Sequence, residues 1–401
     1  MSRKLTRRSF FRTAAMGSAL AAAVGVMSGC THPSGEAPAP EPTVVDEGSA
    51  TDVLESFSQA DSAPVAQSVW ELPLGCVLHP AEGAWIPVTC AGSSATPMVE
   101  GLALSSQSGK VVDVVATPVG ATHNAVIYDV RCSDAAYAWV ELDLVTRDWV
   151  LYAAPFSAGA LTGEPQVLWQ GTRDYDPAPL AVTSDMVVWQ VQPSLAGEKT
   201  AESSHCYLWH LGDAQARPVV ESPGRFATAP QVSGDAVVLC PRVQVGKGGT
   251  FYGISAYSAS DDMQTVLDQM VMPQGVRPFR ATRVGGRFMF SVEASYQSGG
   301  LLGKMGTYFG TPAQGFFRLS KEPSELGCGS GDVFVVKSTS SYVVLDLANS
   351  TYATIPSVDR CVDYGDFPAR AGECSQLVTF ATVKDKDTGF PSAVVVRTFA
   401  L

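Results

Sequence analysis

The main part of the sequence consists of short apolar runs separated by polar turns. From about Ala66 onward, runs of three to six apolar residues alternate with turns rich in Gly, Pro, Asp and Ser, a pattern that predicts β strands. Each of the central runs follows a hairpin-type turn. Four of the runs centre on residues spaced 50 positions apart: Trp139, Trp189, Leu239 and Met289. A constant interval of this size indicates a structural repeat.

Each repeat contains several short strands. The first unit has four apolar segments: 76–79, 85–89, 99–104 and 111–116. Two more units follow Met289, so the chain contains seven units. A unit of four strands in roughly 45 to 50 residues resembles the blade of a β-propeller. No WD dipeptide or Kelch double-glycine signature is present, so the resemblance is to the architecture and implies no particular activity.

The two ends of the repeat region complement each other. The last unit, after Cys361, has three strands, whereas Gln67–Leu72 is a strand without a unit before the first repeat. Pairing the two would close the ring and remove exposed edges. The sequence therefore predicts an all-β fold, a seven-bladed β-propeller over residues 65–401 closed by its N- and C-terminal strands. A six- or eight-bladed propeller and a pair of β-sandwiches are the alternatives.

The segment 1–29 has the pattern of an export signal. Arg7 and Arg8 stand in a basic segment without acidic residues, followed by a weakly apolar run, Ala14–Val26, that is too short to span a bilayer. This resembles a twin-arginine signal peptide. The following Val26–Cys30 resembles the lipobox of bacterial lipoproteins, with an ordinary signal peptide and a chance cysteine as the alternative. The resemblance implies that Cys30 carries a diacylglyceryl group with palmitate-type chains, and that the protein is anchored at the outer face of the cytoplasmic membrane.

Residues 30–64 separate this signal from the repeats. Between Thr31 and Pro64 there are five prolines and seven acidic residues, with no Lys or Arg. Such a segment buries too little apolar surface to offset chain entropy. We expect an acidic, proline-rich, disordered tether.

Charge and cysteine content limit the partners. Of 27 basic residues, five precede Cys30, which leaves 22 against 39 acidic residues, a formal charge of −17. This acidity disfavours nucleic-acid binding. Eight cysteines follow Cys30, and an exported location permits disulfides. Possible disulfides are Cys76–Cys90, across one hairpin, and Cys361–Cys374; buried free thiols are the alternative.

Candidate binding residues follow from the repeat. Counting back from each hairpin turn places five polar residues at comparable positions around one mouth of the central channel: His123, Asp174, Asp176, Arg277 and Asp363. A ring of mixed charge suits a small polar ligand or a cation held by carboxylates. The alternative is that these residues cap turns and solvate the rim.

The sequence contains no complete catalytic set, metal-ligand spacing or cofactor motif, and any cofactor stays open. We therefore expect a membrane-anchored extracytoplasmic lipoprotein that acts as a binding, adaptor or accessory propeller for a protein partner or a small polar ligand. The alternative from another class is an enzyme, a metal-assisted hydrolase or a cofactor-dependent dehydrogenase, with its site at the channel mouth. A third is a structural subunit of a membrane complex.

Overall fold

The computed structural model describes residues 43–44, 50–91, 98–120, 122, 124–243, 251–273, 275–293, 305–323 and 325–401. Arg7, Arg8, Cys30 and His123 lie outside these ranges. Within them, regular structure consists of 34 strands and one four-residue helix, α1 (Val53–Ser56). No helix in the described part of the chain has the length and apolar character needed to cross a membrane.

The strands form seven sheets, numbered here in chain order. Sheet 1 contains β5 (Cys76–Leu78), β6 (Trp85–Ala91), β7 (Met98–Ser105) and β8 (Val111–Val115). Sheet 2 contains β9 (Ala125–Cys132), β10 (Ala136–Asp143), β11 (Trp149–Ser157), β12 (Ala160–Leu161) and β13 (Gln166–Gly171). Sheet 3 contains β14 (Leu180–Thr183), β15 (Met186–Val191), β16 (Ser204–His210) and β17 (Arg217–Ser222).

The remaining sheets include strands from the N-terminal segment. Sheet 4 contains β18 (Gln231–Ser233), β19 (Ala236–Leu239), β20 (Arg242–Val243), β21 (Phe251–Ser258), β22 (Val266–Val271) and β1 (Thr43–Val44). Sheet 5 contains β23 (Arg280–Val284), β24 (Arg287–Val292), β25 (Gly306–Thr311), β26 (Gly315–Leu319) and β2 (Ala50–Asp52). Sheet 6 contains β27 (Glu325–Ser330), β28 (Val333–Lys337), β29 (Ser341–Asp346), β30 (Thr351–Pro356), β32 (Gly372–Glu373) and β3 (Ser58–Gln59). Sheet 7 contains β31 (Cys361–Pro368), β33 (Gln376–Lys384), β34 (Pro391–Ala400) and β4 (Ser68–Pro73).

The regularly spaced apolar runs of the sequence are the second strands of their sheets. All residues of β15 are buried. Val187 and Trp189 pack against sheet 2, whereas Met186 and Val188 pack against sheet 4. A strand covered on both faces needs apolar side chains at every position, so these strands read as continuous apolar runs.

The sheets pack in a ring-like order. Each of the seven apolar clusters in the described residues joins two successive sheets, and one of them joins sheet 7 to sheet 1. The first strands of successive sheets also contact each other, from β9 and β14 through to β27 and β31. The fold is therefore an all-β propeller arrangement, as the sequence predicts.

The predicted pairing between the two ends of the repeat region is confirmed. Strand β4 pairs antiparallel with β34, with Trp70 opposite Val396 and Leu72 opposite Val394. Leu72 is buried in the cluster between sheets 7 and 1. The segment that precedes the first repeat is therefore the outer strand of the last sheet.

The prediction of a disordered tether over residues 30–64 is wrong for its second half. Strands β1, β2 and β3 pair in parallel with β22, β26 and β30, the outer strands of sheets 4, 5 and 6. We call β1, β2, α1 and β3 the strap. Val53 and Phe57 of the strap are buried between sheets 5 and 6. The sequence gives no periodic signal here because each short piece packs on a different sheet.

Two ends of the ring are distinguished by their connections. Short turns join first to second strands and third to fourth strands at one end, the turn face. Connections from second to third strands, and from each sheet to the next, lie at the other end, the loop face.

Candidate functional site

A polar cavity of about 330 Å³ opens on the loop face at sheets 2 and 3. Its walls come from three connections: the β10–β11 turn, the segment between sheets 2 and 3, and the β15–β16 loop. The lining residues are Arg147, Arg173, Asp174, Tyr175, Asp176, Pro177, Ser194, Ala196, Gly197 and Glu198. This volume lies at the lower end of the range for small-molecule sites.

Backbone hydrogen bonds hold two of these walls together. The Ser194 amide donates to the Asp174 carbonyl at 2.8 Å, and the Asp176 amide donates to the Gln192 carbonyl at 3.1 Å. Trp149 Nε1 donates to the Tyr175 carbonyl at 3.0 Å and so fixes the segment to β11. The cavity walls are therefore fastened to the sheets.

Tyr175 is held by the β15–β16 loop. Its hydroxyl donates to Glu202 Oε2 at 2.8 Å and accepts from Lys199 Nζ at 3.1 Å. Lys199 also lies over the Tyr175 ring, 4.9 Å from the centroid. These contacts fasten the β15–β16 loop to the Tyr175 side chain.

Charges of both signs line the cavity. Asp176 forms an ion pair with Arg225, with Arg225 Nη2 2.7 Å from Asp176 Oδ2. Within the described residues, the side chains of Arg147, Arg173 and Asp174 have no ion-pair partner. Glu198 also lines the cavity and, among the described residues, has no ion-pair partner. Two guanidinium groups and two carboxylates are thus available to a ligand.

The structure brings together two of the five predicted ring residues. Asp174 and Asp176 line the same cavity. Arg277 also lies on the loop face, but its guanidinium donates to the Ala227 carbonyl at 2.9 Å and joins the loops of sheets 4 and 5. Asp363 is exposed near the start of β31, has a φ of 49°, and is not among the lining residues. The sequence analysis missed Arg147 and Arg173, because counting back from the hairpin turns leads to other positions.

A second polar cluster joins sheets 1 and 2. The Nδ1 atom of His79 lies 3.1 Å from both Asp129 Oδ1 and Arg131 Nη1, and Nε2 lies 2.9 Å from Thr89 Oγ1. Burial lowers the pKa of His79, although Asp129 opposes this effect, so the ring is neutral at pH 7.

The contacts run from the Thr89 hydroxyl through the His79 ring to the Asp129 carboxylate. This is the arrangement in which a histidine, held by a carboxylate, activates a hydroxyl group. Thr89, however, is only 2% exposed, which leaves no route for a substrate to its hydroxyl. The cluster therefore serves to join the two sheets. The sequence does not predict this cluster, because His79 has no carboxylate partner in its own repeat unit and Asp129 belongs to the next unit.

Two carboxylates link the turns of different sheets at the turn face. Glu82 Oε1 of sheet 1 accepts from the Gly234 amide of sheet 4 at 2.8 Å, a contact that crosses the axis. Glu373 accepts from the Gly285 amide at 2.6 Å and the Gly331 amide at 3.1 Å. At Gly285 a Cβ atom would lie 1.9 Å from the Gly331 carbonyl oxygen, so only glycine fits this contact.

The two predicted disulfides differ in outcome. Cys76 and Cys90 are opposite each other in the hairpin, with their sulfur atoms 3.2 Å apart, so this bond stays a prediction with suitable geometry. The pair Cys361–Cys374 is wrong. Cys361 pairs with Val383, seven residues along β33 from Gln376, which lies beside Cys374. That separation is about 23 Å, far beyond the reach of a disulfide.

No group of three or more His, Cys, Asp or Glu side chains in the described part of the chain is arranged to hold a metal ion. The cavity offers hydrogen-bonding and charged groups, and its lining residues include neither histidine nor cysteine. The arrangement can bind a polar molecule through these groups.

No protein-family model and no curated protein sequence matches the chain. Solved structures are similar in fold. A structure from a study of two prolyl endopeptidases aligns with a TM-score of 0.53 and 11% identity, over 82% of this chain and 50% of that chain. The β-propeller domain of the Trilobed protease from Pyrococcus furiosus aligns with a TM-score of 0.50 and 9% identity, over 81% of this chain and 94% of that domain. This chain therefore spans about half the length of the prolyl endopeptidase structure, and at these identities the likeness concerns the fold alone.

Proposed function

We propose that the protein is an exported, lipid-anchored receptor whose seven sheets are the seven blades of one closed propeller. The cavity on the loop face binds a small polar ligand that carries both a negative and a positive group. The observation that carries this proposal is the unpaired set Arg147, Arg173 and Asp174 around a cavity with fastened walls.

The charges define the ligand class. Guanidinium groups bind carboxylate or phosphate through paired hydrogen bonds. The Asp174 carboxylate suits an ammonium group. Free amino acids and short peptides combine these groups at a size that fits about 330 Å³.

Exposed apolar side chains next to the cavity support a binding role on this face. Val145 is 72% exposed and Leu195 is 76% exposed, and they lie on two of the loops that form the cavity. Apolar residues concentrated beside a polar site are typical of surfaces that make contacts.

The proposal is tested by calorimetric titration of the purified protein with a panel of amino acids and dipeptides. We expect at least one member to bind, and Asp174→Asn to weaken it at least tenfold, because the ammonium group loses its charged partner. The control is Asp235→Asn, at an exposed aspartate on the turn face. Equal affinity in the Asp174 and Asp235 variants, or no binding by any member, would contradict the proposed ligand class.

The anchor is tested separately. Cys30→Ala should release the protein from the membrane fraction in soluble form, because the acyl chains supply the attachment. Replacing Arg7 and Arg8 by lysine should retain the protein inside the cell if the twin-arginine route carries it. A Cys30→Ala protein that stays on the membrane would exclude the lipid anchor.

The alternative function is an enzyme at the channel mouth. Its support is the fold shared with the peptidase structures above, which carries no residue of this chain into a catalytic role. Native purification followed by mass spectrometry for metal, bound ligand and partner distinguishes the two. A stoichiometric metal lost on Asp174→Ala or Asp363→Ala would favour the enzyme.

A further inference from the structure

Two cysteines meet where sheet 6 joins sheet 7 on the turn face. Strand β27 pairs in parallel with β32, with Cys328 opposite Gly372. The Cys374 amide donates to the Gly329 carbonyl at 2.6 Å and continues this pairing. The pairing therefore brings together two residues that are distant in the sequence.

The thiols of the two residues lie close together. Cys374 packs against the apolar cluster that contains Cys328, and both thiols donate to one acceptor, the Gln376 carbonyl oxygen, at 3.6 Å from Cys328 Sγ and 3.3 Å from Cys374 Sγ. Cys328 is fully buried, whereas Cys374 is half-buried and precedes the exposed Ser375. Cys374 is therefore the more accessible residue of the two.

We propose that Cys328 and Cys374 form an oxidisable dithiol site that reacts with an extracytoplasmic disulfide, either a small one such as glutathione disulfide or that of an oxidised dithiol protein. Cys374 is the attacking thiol and Cys328 is the resolving thiol. The product is a disulfide that joins sheet 6 to sheet 7, the sheet that contains the closing strand β4.

The surroundings favour this division of roles. The neighbouring Cys328 thiol, together with the positive charge of Arg370, lowers the pKa of Cys374 to about 6 despite its burial. Arg370 is itself 2% exposed and fixed by a hydrogen bond from Nη1 to the Ala81 carbonyl at 2.6 Å. In contrast, burial and the neighbouring Cys90 raise the pKa of Cys76 to about 12, so the hairpin pair reacts more slowly.

The reaction balances as a thiol–disulfide exchange. The Cys374 thiolate attacks one sulfur of the reagent, forms a mixed disulfide and releases the first reagent thiolate, which takes the proton of Cys328. The Cys328 sulfur then attacks the Cys374 sulfur and displaces the second reagent thiolate. Two protein thiols are oxidised, and one reagent disulfide is reduced to two thiols.

The test is a time course with the full chain, purified in reduced form and exposed to glutathione disulfide. Free thiols are alkylated after acid quenching, and linked peptides are identified by mass spectrometry. We expect the 328–374 link to appear first, before any 76–90 link, with Cys361 alkylated throughout. Oxidation should raise the Tm by on the order of 5 °C.

Three variants separate the roles. Cys328→Ser should accumulate a stable glutathione adduct on Cys374, Cys374→Ser should react at neither position, and the control Cys361→Ser should behave as the wild type. A 361–374 link, or a Cys374 that stays unmodified in the wild-type chain, would overturn the proposal. The compartment in which oxidation occurs rests on the proposed export, but this experiment does not, so the two can fail independently.

Discussion

Asp52 connects the strap to sheet 5 through a buried ion pair. Its carboxylate contacts Arg318 Nη2, accepts from Ser320 Oγ at 3.1 Å, and accepts from the Leu54 amide at 3.0 Å as the N-cap of α1. The side chains of Asp52 and Arg318 are 8% and 10% exposed. Burial raises the pKa of Asp52, but the hydrogen bonds from Arg318, Ser320 and Leu54 together hold it below its usual value.

Replacing Asp52 by alanine should therefore be costly. Arg318 would keep a buried charge without its carboxylate partner, and we expect the free energy of unfolding to fall by about 3–5 kcal/mol. Urea denaturation measures this loss, and hydrogen exchange locates it at the strap. Asp61→Ala, at an exposed aspartate beyond β3, is the matched control and should change little. Equal effects of the two substitutions would contradict the role of the pair.

Glu82 gives the ring a pH dependence. Burial, with smaller contributions from Cys374 and Glu373, raises its pKa to about 7. Between the unfolded value of about 4.5 and the folded value, the folded state binds more protons than the unfolded state. The contribution of Glu82 to the stability of the folded protein therefore falls as the pH rises through that window.

We expect Glu82→Gln to match the wild type in Tm near pH 5 and to exceed it at pH 8, because the amide oxygen still accepts from Gly234 while no buried charge forms. Thermal unfolding between pH 5 and pH 8 measures this difference. Glu71→Gln, on the exposed side of β4, is the control and should leave the Tm close to that of the wild type. Parallel curves for Glu82→Gln and the wild type would show that Glu82 titrates normally.

Part of the site was predictable from the sequence at the scale of residues. Asp174 and Asp176 were found because the repeat places the start of each first strand at one end of the ring. The neighbour of Cys374 was not predictable. Nearness in the sequence suggested Cys361 as its partner, whereas the parallel pairing of β27 and β32 brings Cys328 close to it.

At the scale of elements, the strap covers the outer edges of three sheets. Strands β22, β26 and β30 would otherwise present unpaired backbone groups to solvent. Open edges of this kind pair readily with other chains. The strap thus completes sheets 4, 5 and 6 with a few residues each.

A chain that begins at residue 60 should associate with itself and have a lower Tm than one that begins at residue 43, because these edges become open and Arg318 loses Asp52. Light scattering after size-exclusion chromatography measures the association. The chain from residue 43 is the control and should stay in the same oligomeric state as the chain from Cys30. Identical behaviour of both would mean that the strap contributes little.

The elements themselves divide into predictable and unpredictable ones for a physical reason. Second strands such as β15 are covered on both faces, so their composition reveals them. The strap has no period, since β2 and β3 are very short and their partners, β26 and β30, lie in the second half of the chain. A pattern read locally cannot detect such a pairing.

At the scale of the whole molecule, β4 closes the ring through both pairing and burial. Leu72 is 4% exposed between sheets 7 and 1, whereas Val69 on the same strand is 61% exposed. Leu72→Ala should lower the free energy of unfolding by about 2–5 kcal/mol, and Val69→Ala by much less. Chemical denaturation compares them, and similar losses would show that β4 packs differently.

If the proposed lipid anchor at Cys30 holds the protein, the course of the strap determines what proteolysis would release. Only residues 31–42 separate Cys30 from Thr43, at most about 40 Å of extended chain. A cleavage within this short span would shed a complete, fully capped ectodomain into the surroundings. A cleavage between residues 60 and 67 would instead free a particle whose capping peptide is held by noncovalent contacts alone. Where a sheddase cuts would therefore decide whether the released form stays monodisperse.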